Sequence, residues 1–220
     1  MKLTHAIFEP QGEGPHPTIL ALHGWGANPL DLLALAPYLC GGRFLVVCAQ
    51  GTIEVPIGPD AIGYGWFPLR LGDPPSIPAF LSARESVEDF LDESMKRYPI
   101  DPKKLVALGF SQGGALAYAL GLNRPERFAA VVAISTWLPE ELLDRDLLSE
   151  AKDKPAILVQ HGSRDDLVDI NRARESVEKL RELRLPITYR EYDIGHEISP
   201  RSLGDLSVWL EEKVLSPIAM

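Results

Sequence analysis

The sequence has no apolar run approaching the ~20 residues that a membrane-spanning helix requires. Cysteine is scarce as well. Cys40 and Cys48 are the only two in 220 residues, too few for a disulfide framework and without the spacing of a metal site. A reducing, cytoplasmic setting is the expectation. Positive charge is in deficit, with 22 Lys and Arg against 31 Asp and Glu and a net charge of −9. Such a surface does not attract nucleic acid or an anionic membrane over long range; its acidic surplus favours solubility. Residues 1–9 lack the apolar segment and cleavage site of a signal peptide. There is no internal repeat, low-complexity tract or dividing linker, so one domain over residues 1–220 is expected.

What is present is alternation. Short apolar, β-branched runs fall at 18–22, 44–48, 105–110, 130–135, 156–160 and 187–192. Strands so uniformly apolar are buried on both faces, as parallel strands covered by helices are. Cys48 closes one of these runs and fits there as a small apolar residue. Helical spacing appears in Val87, Phe90, Leu91 and Met95, in Ala173, Val177 and Leu180, and in Leu203, Leu206, Leu210 and Val214. Ser82 with Glu85 predicts a capping box at the start of the first helix, and Ser199-Pro200 predicts the start of the last. The pattern is that of an α/β domain in three layers. Residues 50–81, rich in Gly and Pro, form the one long irregular stretch, expected to hold short elements or to line a binding site.

The strongest local signal is Gly109-Phe110-Ser111-Gln112-Gly113-Gly114. It follows an apolar run and precedes the small-residue stretch Ala115-Leu116-Ala117-Tyr118-Ala119-Leu120. A strand, a sharp turn and a helix is the context a nucleophile elbow demands. The serine there must adopt a strained backbone, so the residues two before and two after it must be small, and both are glycine. The competing reading is a glycine-rich turn with a capping serine.

Acyl transfer also needs two N–H donors for the oxyanion. Gln112, following the serine, supplies one. Leu22-His23-Gly24-Trp25-Gly26, at the end of an earlier apolar run, supplies the other from the Trp25 backbone. His23 is read as orienting that loop. Of the five histidines, His5 and His16 have no supporting pattern, and His161 precedes a glycine at a strand end. His196 falls between the last strand and the last helix, where a base can face the elbow. Asp165, in the loop after the penultimate strand, is the candidate orienting acid. Asp166 is read as a solvated neighbour and Asp169 as a helix cap.

Assembled, these motifs resemble those of the phospholipase/carboxylesterase family, which includes acyl-protein thioesterases and small bacterial carboxylesterases. The matching segments are Leu22-His23-Gly24-Trp25-Gly26-Ala27-Asn28, Gly109 to Gly114, His161-Gly162-Ser163-Arg164-Asp165 with Val168, and Gly195-His196-Glu197-Ile198, within residues 18–209. The resemblance implies an α/β-hydrolase fold, a mostly parallel sheet with helices on both faces; between Ser135 and Pro155 there is too little chain for a large lid domain. It implies hydrolysis of carboxylic esters, acyl thioesters or lysophospholipids through an acyl-enzyme on Ser111, with Asp165 and His196 completing a triad. Trp25 and Gln112 would form the oxyanion hole, and neither cofactor nor metal is implied. Two departures stand out: Pro68 follows Trp66-Phe67 where family members commonly carry aspartate, and Asp169 stands where many have proline. Residues 137–148 leave room for at most a small helix. The expected wall is therefore an open apolar rim of Trp25, Trp66, Phe67, Trp137 and Leu138, suited to short or medium acyl chains on a small-molecule or lipid-like ester. A monomer or homodimer is expected. The alternatives are dienelactone-hydrolase-like or other α/β-hydrolase chemistry, against which Ser111 at the elbow argues, and a non-catalytic ligand-binding relative.

Overall fold

The apolar runs do form strands, and their side chains divide between two cores. A computed structural model describes residues 3–69, 76–143 and 154–216. In chain order these contain β1 (His5–Phe8), β2 (His16–Leu22), α1 (Pro29–Leu33), β3 (Leu45–Ala49), β4 (Ile53–Gly58), β5 (Ala61–Gly65), α2 (Ile77–Arg97), β6 (Ile100–Phe110), α3 (Gln112–Asn123), β7 (Ala130–Ile134), β8 (Ala156–Gly162), α4 (Ile170–Glu182), β9 (Ile187–Tyr192) and α5 (Pro200–Leu210).

Seven strands form one sheet in the order β1-β3-β2-β6-β7-β8-β9. Every pairing is parallel except β1 with β3. Leu20, Leu22, Val47, Ala107, Val131 and Val159 point to one face, against α2, α3 and α4. Ile19, Ala21, Val46, Val106, Val132 and Leu158 point to the other, against α1 and α5. This period of two is invisible in the sequence because both sets are apolar. Cys48 lies in the second core, and burial pushes its thiol pKa up to about 12, so it stays an inert, protonated small side chain.

Helix α3 is buried along all twelve of its residues. An ordinary amphipathic helix would expose a polar stripe; this one is apolar all round because it lies between the sheet and α2. Helix α5 begins as the sequence predicts. Ser199 accepts the Ser202 N–H and Pro200 occupies the first turn. Asp169 likewise caps α4, its Oδ1 accepting the Asn171 N–H at 2.8 Å.

The predicted capping box at Ser82 is wrong. Helix α2 starts five residues earlier, at Ile77 with Pro78 in its first turn, and Ser82 lies inside it. The reason is burial: Phe80 and Ala83 continue the apolar stripe of Val87, Phe90 and Leu91 backwards into the core. The long irregular stretch holds a hairpin, β4–β5, separate from the main sheet; residues 70–75 lie outside the described residues. The small helical element expected after Trp137 is a single 3-10 turn at Glu140–Leu142; residues 144–153 also lie outside the described residues. Among the described residues no helix is long and apolar enough to cross a membrane.

Candidate active site

Because β2, β6, β8 and β9 run parallel, the loops that follow them emerge at one edge of the sheet. These loops carry His23 to Trp25, Ser111, Asp165 and His196 respectively. Parallel topology thus gathers residues that stand up to 173 positions apart in the chain.

Ser111 sits between β6 and α3 with φ 54° and ψ −119°, a conformation that disfavours any side chain. Its neighbours hold it there. Its N–H donates to the Ile134 carbonyl at 2.9 Å, and its own carbonyl accepts from Thr136 Oγ1 at 2.6 Å. A Cβ on Gly109 would come within 2.1 Å of the Gly113 carbonyl oxygen, and a Cβ on Gly113 within 2.1 Å of the Leu22 carbonyl oxygen. Both glycines are therefore steric necessities of the turn.

The loops that carry Asp165 and His196 are stitched together by backbone. Ser163 N–H donates to Tyr192 O at 2.7 Å and Arg164 N–H to Ile194 O at 3.0 Å. Across this seam His196 Nδ1–H donates to Asp165 Oδ2 at 2.8 Å, and the imidazole rests 4.8 Å from the ring of Phe110, the residue before Ser111 in the chain. The other carboxylate oxygen accepts N–H groups from Leu167 (3.0 Å) and Val168 (2.9 Å). Burial alone would raise the Asp165 pKa. The Val168 N–H, the His196 ring and the Leu167 N–H outweigh it and hold the carboxyl below the usual carboxylate range. His161, fully buried, donates Nε2–H to the Val168 carbonyl at 2.8 Å, with the same nitrogen 3.4 Å from Asp165 Oδ2. It braces the Asp165 loop. Asp166 is exposed, as expected of a solvated neighbour.

Gly24 lies beside Ser111: a Cβ there would fall 3.3 Å from the Ser111 Cβ. That contact brings the Trp25 backbone next to the elbow. His23 orients this loop, as its sequence context suggested. Its Nδ1–H donates to Gly24 O at 2.8 Å while Nε2 accepts the Gly51 N–H at 3.0 Å. Burial pushes its pKa down, against the opposing pull of the Gly24 carbonyl and Asp31, so the ring is neutral and both bonds persist.

The predicted substrate wall needs correction. Phe67 has no exposed surface and packs on Phe80 at 4.9 Å; Trp66 is 4% exposed and Leu138 8%. Their apolar area belongs to the core, which gains more from it than an open rim would. Trp25, 36% exposed, and the half-buried Trp137, stacked under the Arg172 guanidinium at 4.7 Å, remain as surface.

Sequence reasoning missed Thr136, which bears no local signal, and the Gln112 side chain, which clamps the 66–67 segment. It also missed the hairpin's hold on the Trp25 loop. Gly26 N–H donates to Tyr64 O, and Tyr64 N–H to Ala27 O. The alternating glycines Gly63 and Gly65 were the available sign, since a Cβ on either would strike Gly26 or the Trp25 ring.

A model of the Phospholipase/Carboxylesterase family matches residues 3–214. The chain belongs to that family. It is 28% identical to a probable carboxylesterase SOBER1-like protein of Arabidopsis thaliana, over 90% of this chain and 79% of the relative. It is 26% identical to acyl-protein thioesterase 1 of Mycosarcoma maydis, over 96% and 97%. Among solved structures, esterase PE8 superposes with a TM-score of 0.83 at 25% identity, covering 97% of this chain and all of that one. The Bacillus cereus carboxylesterase, at 20% identity over 96% of this chain and 94% of its own, shares the α/β-hydrolase fold with a TM-score of 0.75.

Proposed function

We propose that this protein is a serine esterase that cleaves carboxylic esters through an acyl-enzyme on Ser111, with His196 as general base and Asp165 as its orienting acid. The observation that carries this reading is the His196–Asp165 bond. With Nδ1 donating to the buried carboxylate at 2.8 Å, Nε2 is the unprotonated nitrogen, at the sheet edge where the strained elbow presents Ser111.

The chemistry follows from these positions. Nε2 takes the Ser111 proton as the hydroxyl oxygen attacks the acyl carbon, and Asp165 stabilises the imidazolium. The Gln112 and Trp25 N–H groups receive the oxyanion. The imidazolium then protonates the departing alcohol. Water, deprotonated by the same nitrogen, releases the acid and restores the hydroxyl. With three of the five wall candidates in the core, Trp25 and Trp137 supply the apolar contact, which favours a short acyl group. The relationship to an acyl-protein thioesterase makes thioesters the second substrate class to test.

Turnover of p-nitrophenyl esters from acetate to decanoate, beside the matching thioesters, tests the reading. Ser111→Ala is expected to lower kcat by roughly 10⁴-fold or more while the circular dichroism spectrum is unchanged. A fluorophosphonate should label the wild type alone. Retained turnover in Ser111→Ala overturns the mechanism; a wild type inert to esters, thioesters and fluorophosphonate would be a ligand-binding relative without catalysis.

A further inference from the structure

The two proposed oxyanion donors come from distant parts of the chain, Trp25 after β2 and Gln112 after β6. Their separation must be set to a fraction of an ångström, because a donor misplaced by about 1 Å can cost on the order of 10²-fold in rate. Trp66 touches both sides of this gap. Its backbone N–H donates to Gln112 Oε1 at 2.8 Å, and its indole Nε1–H donates to the His23 carbonyl at 2.9 Å. The Gln112 Nε2 completes the clamp by donating to Phe67 O at 2.6 Å. Gln112 is 0% exposed, so these bonds form out of water, where leaving either partner unpaired is costly.

The ring of Trp66 also lies 5.1 Å from that of His23, whose own bonds run to Gly24 and Gly51. A shift of Trp66 is therefore passed to the residue immediately before Trp25. On the other side it is passed to the residue that carries the second donor. The backbone N–H would be present on any residue at this position; the indole N–H is what tryptophan alone brings, and it is committed to the His23 carbonyl.

We propose that Trp66 is a positioning residue that fixes the spacing of the oxyanion hole, holding Gln112 with its backbone and the His23–Trp25 loop with its indole. This rests on the esterase reading above and adds to it a role for a residue that touches no substrate.

The cleanest test replaces Trp66 with 3-benzothienylalanine, which has the shape of tryptophan but sulfur in place of the N–H. Trp66→Phe and Gln112→Met accompany it. The expected result is a fall in kcat of about 10-fold with KM within twofold, smaller than the ~10²–10³ for deleting a donor outright. The inhibition constant of an alkyl trifluoromethyl ketone, whose hemiketal oxyanion occupies the hole, should weaken by the same factor as kcat. The two single substitutions should combine to less than the product of their effects, because both release one staple. A purely structural residue gives the opposite pattern: a lower melting temperature with kcat and the ketone constant unchanged in folded protein. That outcome overturns the proposal. If Trp66→Phe does not fold, the isosteric replacement and Gln112→Met carry the test. An enzyme that needs Ser111 yet ignores these changes sinks this inference alone, whereas activity that survives Ser111→Ala sinks the esterase reading beneath it.

Discussion

At the scale of single residues, Ser111 works against the fold that holds it. Its φ of 54° and ψ of −119° cost a side-chain-bearing residue about 1–3 kcal/mol. Glycine escapes that strain and instead loses about 0.5–1 kcal/mol to extra freedom in the unfolded chain. Ser111→Gly is therefore expected to abolish ester turnover and raise stability by about 1 kcal/mol, a shift of roughly 2–4 °C in Tm for a chain of this size. Ser111→Ala keeps the Cβ and should melt with the wild type, so calorimetry of the two variants isolates the strain. A Tm for Ser111→Gly at or below that of Ser111→Ala would show that the elbow is relaxed. The residues of this turn were legible in the sequence because each answers a steric demand. Gly109 and Gly113 face backbone atoms where no Cβ fits, and a sequence records such necessities directly. The Gln112 carboxamide was not legible, since its partners, the Trp66 N–H and the Phe67 carbonyl, lie 46 and 45 positions away and are backbone groups that every residue carries.

Elements follow the same division between local and distant causes. Helix α5 could be foreseen because its start is written locally: Ser199 accepts from Ser202 and Pro200 fixes the first turn. Helix α2 was misplaced because its first turn is set by what Phe80 meets across the core, the ring of Phe67, and a capping box at Ser82 was matched inside it. The strand runs were found, but β1 and the β4–β5 hairpin were not; their half-exposed residues lack a continuous apolar signature. The placing of Trp66, Phe67 and Leu138 in the wall has a related cause, since an apolar side chain in a loop looks the same whether it faces substrate or core. Ser199 permits an element-level prediction. Ser199→Ala should cost about 1 kcal/mol by removing the cap, lowering Tm by roughly 2–4 °C. Turnover at 25 °C should stay within twofold, because the His196 loop is held by Ser163 and Arg164 backbone bonds rather than by the cap. A loss of kcat well beyond that would mean that the helix start, not the seam between the Asp165 and His196 loops, sets the position of His196.

For the molecule as a whole, a carboxylate buried at the sheet edge must influence how the fold tolerates acid. Asp165 is depressed below the ordinary carboxylate value by the N–H donors and imidazole that surround it. A depressed carboxyl stabilises the folded state above its unfolded pKa of about 3.9, and that contribution drains away as pH falls through the folded value. Glu191 is lowered by Arg174, and Asp205 by Arg190 and Tyr192 against the effect of burial; both sit nearer the surface, and the sum of all three appears in any acid-unfolding curve. Comparing the wild type with Asp165→Asn cancels the shared contributions and leaves the buried one. At pH 7 the variant should melt lower, because the His196 and Val168 donors lose a charged acceptor. Below about pH 4 the gap between the two melting curves should begin to narrow as the unfolded carboxyl takes up a proton, and it should close as pH falls through the lower folded value. The convergence should survive 0.5 M NaCl, as a buried pair is screened far less than exposed ones. A Tm gap that stays constant from pH 7 to pH 2.5 would mean that Asp165 holds its loop by shape alone. The negative charge assigned to it beside His196 would then have no energetic trace.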